Sequence, residues 1–178
     1  MKAKKYFQMD KIESIIDERI KKGTDDAFYT LSLEDVRNKY RKWVEKIPRV
    51  VPFYAVKCND DERVLKTLID LGAGFEKKKK KEIAQILNLN VSEDRIVYTH
   101  TAKQVSHLKF SAEKKIKKLT FDSAEELIKI KKYYADAEVV LRIRFDAASS
   151  IINLGLKFGC DPSTEALELI KLCKEMKM

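Results

Sequence analysis

Pro48-Arg49-Val50-Val51-Pro52-Phe53-Tyr54-Ala55-Val56-Lys57-Cys58-Asn59-Asp60 is an apolar run that ends on a single lysine. The stretch from Val50 to Val56 has the nearly continuous apolar character of a buried strand. Lys57 then stands where that strand should leave the core. A lysine there costs free energy unless it is paired, exposed at the strand mouth or chemically used. Lysine is also the side chain whose pKa falls readily on burial, which frees its amine for Schiff-base chemistry. Two readings stand at this point: a strand-end lysine in solvent with its stem on apolar surface, or a reactive amine.

Outward from this run, short apolar stretches alternate with helical spacing. Residues 60–71 place Val64, Leu65, Leu68 and Ile69 at helical intervals, residues 72–76 form a brief strand, and residues 80–87 read as a helix. A clear strand at 95–99 precedes a helix at 102–112, and 118–121 is again a strand. Asp122, Ser123, Glu125 and Glu126 supply N-cap candidates and first-turn acids for a helix reaching Tyr134. A strand at 137–143 follows, and Asp161-Pro162-Ser163-Thr164 opens a last helix running to Met176. Such alternation predicts βα units on a parallel sheet, either a (β/α) barrel or an open doubly wound sheet. No GxGxxG or P-loop pattern follows the first strand, which weighs against a nucleotide fold. The segment before Val50 differs, with helices expected at 6–22 and 32–45 and a strand at 27–31. The expected organisation is a lead-in over residues 1–46 and a barrel domain over 47–178.

Composition narrows the class. The chain has 178 residues and 44% hydrophobic content, enough for one well-buried domain. No apolar run approaches the roughly 20 residues of a membrane span, so no membrane partner is expected. Met1-Lys2-Ala3-Lys4-Lys5 is basic but has no apolar stretch behind it, unlike a secretory signal. Cys58, Cys160 and Cys173 are odd in number and lack CxxC spacing, which fits a reducing, cytoplasmic setting and no metal site. The net charge of +9 raises nucleic-acid binding. The lysines are interleaved with acids, however, as in Lys114-Lys115 and Lys117-Lys118 between Glu113 and Asp122, and no nucleic-acid motif is present. Solvated helix faces account for most of the charge, and no specific nucleic-acid partner is expected.

Taken together with Gly74-Phe75, Glu82-Ile83, Arg95-Ile96-Val97-Tyr98, Lys103-Gln104-Val105-Ser106, Leu119-Thr120-Phe121-Asp122-Ser123, Leu141-Arg142-Ile143 and Lys157-Phe158-Gly159, the lysine strand closely resembles the eukaryotic ornithine decarboxylases. The likeness runs from about residue 10 to the end, in order and with matching spacing. It implies an α/β fold, the alanine-racemase-like (β/α)8 TIM barrel, here its N-terminal part with about five of eight strands, followed in the full family by a β domain. It implies pyridoxal 5'-phosphate held as a Schiff base on Lys57 and decarboxylation of L-ornithine to putrescine in polyamine biosynthesis. Further positions that the resemblance places at the cofactor are Ala55, Glu76, Glu82 and Arg142, although a strand-end arginine such as Arg142 equally serves as a structural salt-bridge partner. These positions would lie at the C-terminal strand ends, where barrel active sites form. It also implies a homodimer with Lys157 at the interface.

Two departures from the family pattern stand out. Where the family has Asp-Cys-Ala-Ser after its Gly-Phe, this chain has Glu76-Lys77-Lys78-Lys79-Lys80-Lys81. Glu76 keeps the charge on a longer side chain, and lysines at a helix start oppose the macrodipole. The family's later strands, cofactor-stacking histidine, phosphate-binding glycine loop and β domain have no counterpart in these residues, so the 178-residue polypeptide alone is expected to show no measurable decarboxylase activity. The alternative is an antizyme-inhibitor-like relative that binds without catalysis. The family's antizyme-docking stretch corresponds to about Val105–Lys129, which carries Lys109, Lys114, Lys115, Lys117 and Lys118.

Overall fold

The computed structural model describes residues 2–23, 25–77, 80–146, 155 and 157–178, with the side chains of 2–10 and 80–82 outside that description. The chain divides into two compact units, Met1–Asp35 and Val36–Met178. In the first, α1 (Lys2–Lys21) ends on Arg19 and Lys21, cations that complement the helix C-terminus. Gly23 then turns the chain at φ 64°. The strand expected at 27–31 is absent: Tyr29 is fully exposed and no ladder among the described residues includes the segment. β-propensity without a neighbouring strand does not make a strand. Ser32 Oγ accepts from the Asp35 backbone N–H at 3.2 Å and caps α2 (Leu33–Lys46), whose first turn carries Glu34 and Asp35.

The second unit is built on a five-stranded, all-parallel sheet in the order β1-β2-β3-β4-β5: Phe53–Ala55, Gly74–Lys77, Ile96–Tyr98, Lys118–Phe121 and Glu138–Leu141. Each strand pairs with its neighbour in sequence. The connecting helices are α3 (Glu62–Asp70), α4 (Lys80–Leu87), α5 (Val105–Glu113) and α6 (Ala124–Tyr133), and α7 (Ala166–Glu175) follows β5. Parallel strands joined by helices match the βα expectation.

Side chains alternate across this sheet. Phe75, Ile96, Tyr98, Leu119 and Phe121 are fully buried, together with Leu65, Ile83, Ile86, Leu108, Leu127 and Ile130 from α3 to α6. This is the core, and the Tyr98 hydroxyl bonds His107 Nδ1 within it. The first of the five lysines joins it as well. Strand β2 runs one residue further than expected and carries Lys77 onto the Phe75 side, 1% exposed. Lys78 and Lys79 lie outside the described residues.

The opposite face carries Ala55, Glu76 and Val97 in one register line, and it is only partly covered. Val50 and Val51 remain exposed, so the run is not the fully buried strand its composition predicts; only Val56 reaches the core, at 1% exposure. The reason is position. Among the described residues β1 has a neighbour on one side, and Phe53 lies across Gly74, where a Cβ would come within 2.5 Å of its ring.

The helix ends are chemically specified. Asp61 Oδ1 accepts from the Arg63 backbone N–H at 2.9 Å and caps α3. Ser123 Oγ accepts from the Glu126 backbone N–H at 3.3 Å and caps α6, as its position before Glu125 and Glu126 predicts. The last helix starts at Ala166, later than expected, because Asp161 Oδ1 holds the N–H groups of Ser163 and Thr164 at 2.8 and 3.0 Å in a turn of its own. Those bonds depress the Asp161 carboxyl below its usual range.

Candidate active site

At the C-terminal ends of the strands, Lys57, Glu76, Thr99, Thr120, Val140, Leu141 and Arg142 line one open cavity of about 430 Å³. Three residues chosen from sequence, Lys57, Glu76 and Arg142, therefore converge from β1, β2 and β5. Ala55 ends β1 two residues before the lysine, aligned with Glu76 across the ladder and half-buried. Glu82 lies on α4, and its side chain is outside the described residues.

Lys57 sits on a single 3-10 turn, Val56–Cys58, that follows β1 directly. Burial of Val56 anchors this turn, while Lys57 itself is exposed. It is thus a solvent-reaching strand-end lysine and a cavity-lining amine together. The Tyr54 hydroxyl closes over the turn by donating to the Asn59 carbonyl at 3.0 Å.

Glu76 leaves β2 on the open face, where its Oε1 accepts from the Thr99 hydroxyl at 2.7 Å. Arg142 follows β5, its backbone N–H donating to the Phe121 carbonyl at 2.8 Å. Its guanidinium lies 4.7 Å from the centre of the Phe158 ring. The segment bearing Phe158 is fastened behind it. Ile143 and Cys160 form a parallel bridge, the Cys160 N–H donates to the Arg142 carbonyl at 3.0 Å, and the Gly159 N–H donates to Asp122 Oδ2 at 2.8 Å. Burial pushes the Cys160 thiol pKa upward, so it stays protonated.

Behind the rim lies a buried ion pair that sequence reading missed. Lys103 Nζ lies 2.8 Å from Glu126 Oε1, with side chains 0% and 3% exposed. The same ammonium donates to the carbonyls of His100 at 3.0 Å and Thr120 at 2.6 Å. It thereby ties the ends of β3 and β4 together below the cavity. Desolvation holds the Lys103 pKa below its usual value against the opposing pull of Glu126. Thr99 and Thr120 were also missed. Their signal was the two-residue alternation that sets them on the face of Glu76.

Among the described residues, no cluster of His, Cys, Asp or Glu could hold a metal ion, the three cysteines are free, and no helix is long and apolar enough to cross a membrane.

Comparison with known proteins places this geometry. Residues 33–178 match the family model described as pyridoxal-dependent decarboxylase, pyridoxal binding domain. Ornithine decarboxylase of Saccharomyces cerevisiae is 39% identical over 174 residues, covering 97% of this chain and 37% of the yeast protein. The Paramecium bursaria Chlorella virus arginine decarboxylase bound to agmatine superposes with a TM-score of 0.85 at 34% identity, over 93% of this chain and 45% of the viral one. A lysine/ornithine decarboxylase from Vibrio vulnificus complexed with cadaverine gives a TM-score of 0.70 at 28% identity, over 81% of this chain and 37% of its own. These neighbours share the barrel expected from the resemblance, of which the five strands here form part. The chain thus spans little more than a third of the length of the yeast relative. It belongs to the pyridoxal-dependent decarboxylases, with residues 33–178 in their pyridoxal-binding domain.

Proposed function

We propose that the cavity at the strand ends holds pyridoxal 5'-phosphate and that the whole protein decarboxylates a basic amino acid, L-ornithine to putrescine. The observation that carries this reading is the convergence of Lys57, Glu76 and Arg142 on one cavity from three strands. The donor set fits the cofactor. Lys57 offers a solvent-reached primary amine for an aldehyde, Arg142 a permanent cation for an anionic oxygen, and Glu76 a carboxylate for a protonated nitrogen. Bound pyridoxal phosphate supplies the conjugated electron sink for the pair left behind when CO2 departs.

The protein groups have separable tasks. Lys57 would hold the cofactor through its amine, at the place the substrate amine would come to occupy. Its placement on a 3-10 turn anchored by Val56 fixes where that amine is presented. Arg142, steadied by Phe158, orients anionic groups, and Glu76 sets the charge facing the ring. Ala55 leaves room beside the lysine, and Glu82 completes the cofactor-binding set. Ornithine as substrate is supported by the yeast relative's identity, and Lys157, exposed on the Phe158 segment, suits a homodimer contact.

A second reading rests on Lys109, Lys114, Lys115 and Lys117, exposed together on α5 and the turn after it. Such a surface fits an acidic protein such as antizyme, as in a non-catalytic, antizyme-inhibitor-like relative.

Titration with pyridoxal phosphate followed by borohydride reduction and peptide mapping separates the two. The first reading expects a label on Lys57 that Lys57→Ala abolishes. No label on Lys57, combined with tight antizyme binding, would replace it with the second.

A further inference from the structure

Thr99 follows β3, and its backbone N–H donates to the Lys77 carbonyl at 3.0 Å, which extends the β2–β3 ladder. That bond fixes the backbone carrying a β-branched side chain, which has few χ1 choices. The hydroxyl is consequently preset on the open face, where it donates to Glu76 Oε1 at 2.7 Å. A weaker contact of 3.5 Å reaches the Lys77 carbonyl, and the shorter, charge-assisted bond dominates. Glutamate has one more rotatable bond than the aspartate found in the resembling family, so an unrestrained Glu76 would sweep a wider volume over the cavity. We propose that Thr99 is a positioning residue, whose hydroxyl locks the Glu76 carboxylate in the orientation that faces bound pyridoxal phosphate.

This inference rests on the cofactor reading given above. Its test is a double-mutant cycle read by pyridoxal phosphate affinity, from absorbance titration of the 178-residue chain. Thr99→Val keeps the shape and removes the hydroxyl, and should weaken affinity about tenfold, as loss of a hydrogen bond to a charged group does. Thr99→Ala should do the same, while Thr99→Ser should restore affinity to within about twofold, since it retains the donor. In a Glu76→Ala background, Thr99→Val should add little, because the acceptor it positions is gone.

Wild-type affinity in Thr99→Val, or an equal loss in the Glu76→Ala background, overturns the inference. The second result would mean that Thr99 acts on its own or through general packing. Failure of the wild-type chain to label at Lys57 overturns the cofactor reading and this inference with it. Labelling that is indifferent to Thr99 overturns this inference alone.

Discussion

Glu126→Leu removes the counter-charge of a lysine that has no water to turn to. The Lys103 side chain is 0% exposed, with Glu126 Oε1 2.8 Å from its ammonium. Without that carboxylate, the hydrogen bonds left to Nζ among the described residues are to the neutral carbonyls of His100 at 3.0 Å and Thr120 at 2.6 Å, with the Tyr98 ring 6.0 Å away. The Lys103 backbone N–H also loses both Glu126 oxygens, at 3.2 and 3.3 Å. Orphaning one charge of a buried pair costs on the order of 3–5 kcal/mol. At about 2–4 °C per kcal/mol for a chain of this size, Tm by scanning calorimetry should fall by roughly 6–20 °C. Adding Lys103→Met should recover most of that loss, since it removes the orphaned buried charge; Lys129, 2.5 Å from Glu126 Oε2 and partly exposed, loses that contact in both variants.

The pH dependence has a definite sign. Lys103 is already held below its usual value of 10.5, chiefly by desolvation, so the unfolded chain binds the extra proton between the folded pKa and 10.5. Stability from this group therefore rises as pH climbs through that window. Removing Glu126 lowers the folded pKa further and widens the window downward. The deficit of Glu126→Leu should accordingly shrink toward pH 10. A single variant within about 1 kcal/mol of the parent, or a double variant no more stable than the single, refutes the argument.

Two further outcomes follow from local geometry. The Asp61 carboxyl is held at about 2, against a usual 3.8, first by the Arg63 side chain and then by the N–H groups of the α3 start. Its contribution is present above 3.8 and lost as pH falls toward about 2, so Asp61→Ala should flatten the fall of Tm across that interval in circular dichroism melts; an unchanged slope counts against it. Gly159→Ala places a Cβ 2.7 Å from Ile143 C and Arg144 N at φ +90°, costing on the order of 1–3 kcal/mol. Faster hydrogen exchange at the Cys160 amide, which bonds the Arg142 carbonyl, is the expected sign, and unaltered protection would contradict the assigned role of Gly159.

The βα order could be read from sequence because helix-facing residues of parallel strands repeat every second position, as in Ile96 and Tyr98 or Leu119 and Phe121. Lys57 was legible for a chemical reason, because it ends an apolar run with a charge, whereas Arg142 was singled out only by the family resemblance. Residues 27–31 misled because their composition suits a strand, whereas strands exist by pairing. Lys103 and Glu126 were hidden differently. In a chain rich in both signs, each looks like another member of a solvated face, and only the fold brings these residues, 23 positions apart, into one dry site. Thr99 and Thr120 are neutral and common, so their place at the cavity emerges from register alone.

The unbroken β1-β2-β3-β4-β5 order bears on how the second unit assembles. Among the described residues every strand pairing joins sequence neighbours, so none of these ladders waits for a distant segment to return. Each pairing closes a loop of one βα unit rather than of the whole chain, and shorter loops cost less entropy to close. The sheet can therefore grow in the direction of synthesis, each new βα unit docking on the edge left by the last. In such vectorial growth β2, with its buried Lys77, comes second. A fault at that strand would leave every later unit without its template.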